Sequence, residues 1–248
     1  MRSQDFEYLY QLEETFWWFV AMRQVTDTVL AGPLAHTPTP RILDAGCGTG
    51  INLEYFSGRA PAGVFGLDIS SDAIDGVRKR GLRRVCQASV TDIPFADASF
   101  DLVLSCDVLC QSSTPLAKPG LREMYRVMRP GGVLFVRVPA FEWMRSSHDT
   151  ELGTGHRFTR DELVRETAEA GFKVEWSSYA NSFLFPVVVA RRMLKSLGLF
   201  QGSDVKPLPG ALRWLDPIFR TVLKSEAAVF KIGLRLPVGL SVICVARR

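Results

Sequence analysis

Apolar residues follow two different spacings along this chain. Between residues 5 and 31 they recur every three or four positions (Phe6, Leu9, Tyr10, then Phe16, Phe19, Val20), and Gly32-Pro33 closes the run, which predicts helix. His36 to Pro40 reads as a short linker. From Arg41 onward, apolar runs at 41–45, 63–68, 84–88, 101–106 and 132–138 predict short buried strands. The stretches at 50–57, 71–80 and 118–128 predict helices between them. This alternation predicts an α/β fold on a parallel, doubly wound sheet. Arg129-Pro130-Gly131-Gly132 predicts a sharp turn into the fifth strand. Beyond Pro139, residues 140–156 read as a loop. A helix is expected from Thr159 to Gly171, opened by a Thr159/Glu162 capping box, and a strand from Phe172 to Tyr179. Residues 181–236 read as a hydrophobic helical insert before a last strand at 240–246.

The first strand ends Leu43-Asp44-Ala45 and runs into Gly46-Cys47-Gly48-Thr49-Gly50, with a helix following at Ile51. Glycines at alternate positions in a strand–loop–helix unit let a nucleotide-like ligand lie against bare backbone. Asp44 decides the kind of ligand. A carboxylate there repels pyrophosphate and favours an ammonium and a sulfonium. Asp68 ends the second strand, where its two oxygens can accept from both hydroxyls of a ribose; capping of the next helix with Ser70 and Ser71 is the alternative. Ile69 beside it offers an apolar face.

The run from Asp44 to Gly50 resembles the first motif, (D/E)xGxGxG, of the class I S-adenosylmethionine-dependent methyltransferases, and within them a type 11-like group that methylates small molecules. Ala88 to Phe95 with Ser99-Phe100-Asp101 is similar to a further family segment, and the likeness covers roughly residues 41–179 plus the last strand. The resemblance implies a Rossmann-like, seven-stranded sheet of order 3-2-1-4-5-7-6 in a single domain. Residues 1–35 would be an N-terminal helical lid, 41–180 the cofactor-binding core, 181–236 the insert and 237–248 the last strand. The implied cofactor is S-adenosylmethionine, leaving as S-adenosylhomocysteine. Asp44 is then expected to reach its ammonium, and Gly46, Cys47, Gly48 and Gly50 to pack on its methionine part. Asp68 would take the ribose and Ile69 the adenine face. Ser89 stands where relatives carry an adenine-contacting acid, so Ser89 and the Val90 amide are expected at the adenine edge, with Asp92 as the other source of a carboxylate. Cys106 would line the pocket through its backbone. Trp18 and Arg23 are expected to close over the methionine end, Arg23 meeting its carboxylate; ordinary helix packing accounts for the same two residues equally well. Cys110-Gln111 replaces a Glu-His pair common in relatives.

Methyl transfer is an in-line displacement that rests on alignment and exclusion of water, and a neutral acceptor also needs a base. Two of the three histidines fall in the loop after strand five, so His156, His148 and Asp149 are the candidate bases. The acceptor is expected to be a small molecule, hydrophobic or lipid-like. The insert could wall its pocket, touch a membrane surface peripherally, or form a homodimer face. Five cysteines without a CxxC pair argue against a disulfide framework or a metal site and for a reducing, cytoplasmic setting. The start of the chain does not read as a signal peptide, and no apolar run reaches the roughly 20 residues of a membrane span. A net charge of +4 is diffuse, so no nucleic-acid partner is expected. The alternatives are an NAD(P)-dependent oxidoreductase, disfavoured by Asp44 and by Ile51 where a third spaced glycine belongs, and a non-catalytic binding protein of the same fold.

Overall fold

A computed structural model of the chain describes residues 3–111, 116–196 and 214–248. Seven strands form one sheet: β1 (Ile42–Ala45), β2 (Val64–Asp68), β3 (Val85–Gln87), β4 (Phe100–Cys106), β5 (Met128–Pro139), β6 (Lys173–Ala180) and β7 (Ser241–Arg247). Their order is 3-2-1-4-5-7-6, as the resemblance implies. The first five pair in parallel, and β7 runs antiparallel to β5 and β6. β1 is buried along its whole length because both sheet faces are covered: Leu43 and Ala45 join one core, Ile42 the other. The strand order reverses between β1 and β4, which opens a crevice at their carboxyl ends.

The helices are α1 (Ser3–Leu12), α2 (Trp17–Ala31), α3 (Ile51–Ser57), α4 (Ser71–Lys79), α5 (Ala117–Val127), α6 (Ser147–Leu152), α7 (Arg160–Glu169), α8 (Phe185–Ser196) and α9 (Asp216–Lys231). Three sequence expectations are corrected. The single helix over 5–31 is two, because Glu13 and Glu14 at the break are drawn to other elements. β5 begins earlier than expected, at Met128, and the sharp bend expected at Arg129–Gly132 lies inside it as a bulge: pairing with β4 jumps from Met128 to Val133, Gly131 has φ +80°, and Gly131 and Gly132 exchange backbone hydrogen bonds with Arg248 at 2.9 and 3.1 Å. The loop 140–156 holds a 3-10 turn at Glu142–Met144 and then α6, which opens with a Ser146/Asp149 capping box. Helices α8 and α9 lie in the insert as expected; residues 197–213 of it lie outside the described residues.

The N-terminal helix α2 and the insert helix α9 pack on each other. Ala21, Met22 and Val25 of α2 share a core with Leu223, Ala227 and Phe230 of α9, and Trp17 meets Phe219 at 5.4 Å between ring centres. Glu226, fully buried on α9, accepts the backbone N–H groups of Asn181, Ser182 and Phe183 at 2.6–2.8 Å and so fixes where β6 turns into α8.

A second buried charge ties the N-terminus to the glycine loop. The Arg80 side chain is only 2% exposed and pairs with Glu14 at 2.8 Å, Glu54 at 2.7 Å and Glu13 at 3.5 Å. Its Nε donates to the Thr49 carbonyl at 3.0 Å, and the Thr49 hydroxyl donates to Glu13. Removing Arg80 strands Glu13, the buried acid of the group, while Glu14 and Glu54 are about half exposed and keep their water. Arg80→Met is therefore expected to cost about 3 kcal/mol in a urea unfolding titration, and to strip hydrogen-exchange protection from α1 before the sheet. Unchanged protection in α1 would show that the N-terminus is held by other means.

Candidate active site

Asp44 is fully buried at the carboxyl end of β1, and no donor meets either of its oxygens in good hydrogen-bond geometry, the Asn52 amide acting on it from a poor one. Burial pushes its carboxyl up to about 7, although the Asn52 amide and the Arg137 guanidinium pull toward the charged form. Buried acceptors without donors are uncommon and costly. A cationic ligand group at Asp44 would remove that cost, and a pyrophosphate would add to it.

The loop that follows is shaped by close approach. Gly46 has φ +90°, and a Cβ there would meet Val108 Cγ2 at 2.2 Å. Gly48 (φ +53°) faces open space, with nothing within 4 Å of a would-be Cβ, so its backbone is approachable. Gly50 sits against Val77, and Cys47 is buried with its thiol pKa raised by burial. Asp68 spans from β2 to the loop: Oδ2 accepts from Gly48 N–H at 2.9 Å and Oδ1 from Ser70 N–H at 3.0 Å. Burial raises its pKa against those amides, and each oxygen keeps a lone pair for a ligand hydroxyl. Ile69, 72% exposed, is an apolar surface beside it.

Across the crevice stand the ends of β4 and β5. Arg137, one of the few buried charges, donates through Nε and Nη2 to Asp107, while its Nη1 makes no hydrogen bond among the described residues. Its guanidinium lies 4.9 Å from the Trp18 ring. Cys106 pairs in register with Arg137, and burial pushes its thiol up to about 12, which leaves it protonated and unreactive. Further along the same edge, Phe141 stacks on Tyr179 at 4.8 Å and meets Trp143 at 5.8 Å and Phe185 at 6.1 Å. Phe141 has φ +58°, costly for an aromatic residue.

The family model described as a methyltransferase domain matches residues 43–136, from β1 into β5. The malonyl-[acyl-carrier protein] O-methyltransferase of Pseudescherichia vulneris is 30% identical over 197 residues, covering 75% of this chain and 76% of that protein. The chain belongs to the class I S-adenosylmethionine-dependent methyltransferase family. The fatty-acid O-methyltransferase of Mycolicibacterium smegmatis is 36% identical over 122 residues, 45% of this chain and 43% of its own. The methyltransferase spans about half the length of other curated relatives as well, 46% and 47% in two cases. A crystal structure of an S-adenosylmethionine-dependent methyltransferase from Archaeoglobus fulgidus superposes with a TM-score of 0.60 at 16% identity, over 97% of this chain and 100% of that one, which is a likeness of fold.

The structure brings Asp44, Gly46, Cys47, Gly48, Gly50, Asp68 and Ile69 to the β1 and β2 side of the crevice. Ser89 follows β3; its hydroxyl is 2.8 Å from that of Thr91, and the Val90 side chain is buried, leaving only its backbone to a ligand. Asp92 is exposed. Trp18 and Arg23 separate. Trp18 reaches Arg137, whereas Arg23 donates to the Glu13 carbonyl at 2.8 Å and lies 5.9 Å over Tyr55. Asp149 has both oxygens engaged, Oδ1 with Arg157 Nε and Oδ2 with Ser146 N–H, each at 2.8 Å, so these contacts give it an ion pair and a capping role. His156 is half exposed, with ring Nε2 2.9 Å from Glu162 Oε1 and its backbone N–H donating to the Cys110 carbonyl at 3.1 Å. The His148 side chain lies outside the described residues. Sequence reasoning missed Arg137, although a lone charge inside the apolar run from Gly132 to Pro139 was a signal.

Asp44 also sets a pH dependence. Its pKa is about 7 folded against an ordinary 3.8, so its contribution to stability is full below about pH 4 and lost as pH rises through 7. At high pH the ionised form costs on the order of 4 kcal/mol. Asp44→Asn is expected to raise the melting temperature of the ligand-free protein above pH 7 and leave it little changed near pH 4. Calorimetry with S-adenosylhomocysteine should show proton release on binding below pH 7, absent in the variant. A melting temperature that falls equally at both pH values would contradict the assignment.

Proposed function

We propose that this methyltransferase transfers a methyl group to an oxygen of an apolar, lipid-like small molecule entering beside Phe141, Trp143 and Phe185. The observation that carries this reading is the aromatic cluster itself. It stands at the carboxyl edge of β5 and β6, Trp143 is 64% exposed, and the strained Phe141 backbone holds its centre. Aromatic faces of this kind bind apolar chains or rings through area and shape. The names of a fatty-acid and a malonyl-carrier-protein relative agree with an oxygen acceptor on an acyl chain.

The residues present fit S-adenosylmethionine. Asp44, an orphaned buried carboxylate, suits its ammonium; the open backbone of Gly48 gives room beside the loop; Asp68 and Ile69 suit ribose and adenine, with Ser89 and Val90 at the adenine edge. Arg137 takes the part expected of Arg23, because its Nε and Nη2 are held by Asp107 at the end of β4 and its charge acts on Asp44. When bound, the cofactor supplies a sulfonium-activated methyl group. The chain's own contribution is to align the acceptor oxygen, hold it dry under Trp18 and α2, and stabilise the loop through Arg80. A carboxylate acceptor is already anionic near pH 7 and needs no base.

The His156–Glu162 pair favours a second reading, a neutral hydroxyl acceptor with His156 as the base. The two separate on one variant. With a carboxylate acceptor, His156→Ala keeps turnover within about threefold; with a hydroxyl acceptor it loses about 100-fold. Asp68→Ala is expected to abolish measurable binding of S-adenosylhomocysteine, and retained tight binding would remove the ribose assignment. Trp143→Ala should raise KM for a long-chain acceptor by about tenfold or more while leaving kcat and cofactor affinity in place. An unchanged KM would move the acceptor elsewhere.

A further inference from the structure

Of the twelve large apolar side chains left exposed among the described residues, nine lie between Phe183 and Val238. On α8 the outward positions are Val187, Ala190 and Leu194, one turn apart, and Phe183 precedes them by four residues, so the solvent face of this helix carries the apolar stripe that normally faces a core. The stretch leading from α9 into β7 adds Ile232, Leu234 and Val238. The two are joined: Gly239 packs so closely on Ala180 and Ser182 that a Cβ would lie 2.3 Å from the Ala180 carbonyl, and Leu236 bridges to Tyr179. Both border the aromatic cluster, α8 through Phe185 at 6.0 Å from Trp143, and the second stretch through Leu236 against Tyr179, on which Phe141 stacks.

The net charge, expected from the sequence to be diffuse, is instead concentrated in the same segment of the chain, part of it outside the described residues. Residues 181–236 contain nine Lys or Arg against three Asp or Glu, a surplus of six in a chain whose total surplus is four; the remainder of the chain is therefore net acidic. One of the three acids, Glu226, is buried on backbone amides. Lys231 and Arg235 are exposed on either side of Ile232 and Leu234. A second copy seated on this face would bring two surpluses of positive charge together, which opposes an isologous dimer. No described helix is long and apolar enough to cross a membrane. Exposed apolar side chains interleaved with basic ones match the boundary of an anionic bilayer, where the apolar groups enter the acyl region and the cations meet phosphates.

We propose that the outer face of α8, together with residues 231–238, docks peripherally on an anionic phospholipid bilayer. Docking would set the mouth formed by Trp143 and Phe185 against the lipid surface.

Vesicle co-sedimentation tests this. The full chain is expected to pellet with phosphatidylcholine vesicles carrying about 30% phosphatidylglycerol, to remain in solution with phosphatidylcholine alone, and to be released by about 0.5 M salt. Lys231→Glu with Arg235→Glu should weaken the partition by at least about tenfold, and Val187→Glu with Leu234→Glu should abolish it. Both variants should bind S-adenosylhomocysteine and melt like the parent, which separates failure of docking from failure of the fold or of the methyltransferase reading. The proposal is overturned if the parent stays in solution with anionic vesicles or if the paired variants pellet equally. It is also overturned by a lipid-free dimer that Val187→Glu dissociates, which would make the occupant a second copy. Pelleting that begins only on deletion of residues 197–213 would identify that segment as the cover and overturn it likewise.

Discussion

The site depends on a carboxylate buried without a donor. Asp44 occupies the one place in the sheet where the strand order reverses, and every nearby feature bears on its ionisation: burial and Asp68 oppose its charge, Arg137 and Asn52 favour it. A protein interior tolerates such a group when function repays the cost. A cationic ligand bound there, as proposed, would convert a desolvation penalty into part of the binding energy. The same reasoning disposes of a pyrophosphate-binding oxidoreductase, since an anion placed beside Asp44 would deepen the penalty.

Around that point the molecule is organised as a rigid sheet edge covered by helices anchored through buried charges. Arg80 ties the junction of α1 and α2 to the loop carbonyl of Thr49, and Glu226 ties α9 to the turn after β6. Both groups connect segments far apart in sequence, and both are satisfied by several partners, which is what allows charge in a low-dielectric setting. Helix α2 and the insert thereby become one helical layer. Adjacent Trp17 and Trp18 divide between its two tasks, Trp17 packing on Phe219 of the insert and Trp18 covering Arg137 at the mouth.

Much of this was legible in the chain because the signals are local. Period-2 and period-3.6 patterning, glycine spacing and a capping box act within a few residues, so the strands from β1 to β7, helix α7 and the Asp44–Gly50 loop could be read directly. The features that were not legible share a cause. The break at Glu13 depends on Arg80, the extension of β5 through Gly132 depends on Arg248, and the role of Asp149 depends on Arg157. Each partner is remote in sequence, or sits in a segment without regular pattern. The Ser146/Asp149 capping box was the exception, a local signal inside what reads as a loop.

The sequence by itself determined the sheet, its nucleotide-type loop, and the carboxylates at the ends of β1 and β2, since strand–turn–helix geometry follows from backbone preferences over short distances. Only the tertiary structure decided which cation reaches the site. Arg23 and Arg137 are equivalent as letters, but one is held by the Glu13 carbonyl and the other is carried by β5 into the pair with Asp107, from where its charge acts on Asp44. It also decided that the apolar stripe of α8 faces outward. Helical periodicity reveals that a stripe exists, whereas its direction is set by what the rest of the fold leaves uncovered.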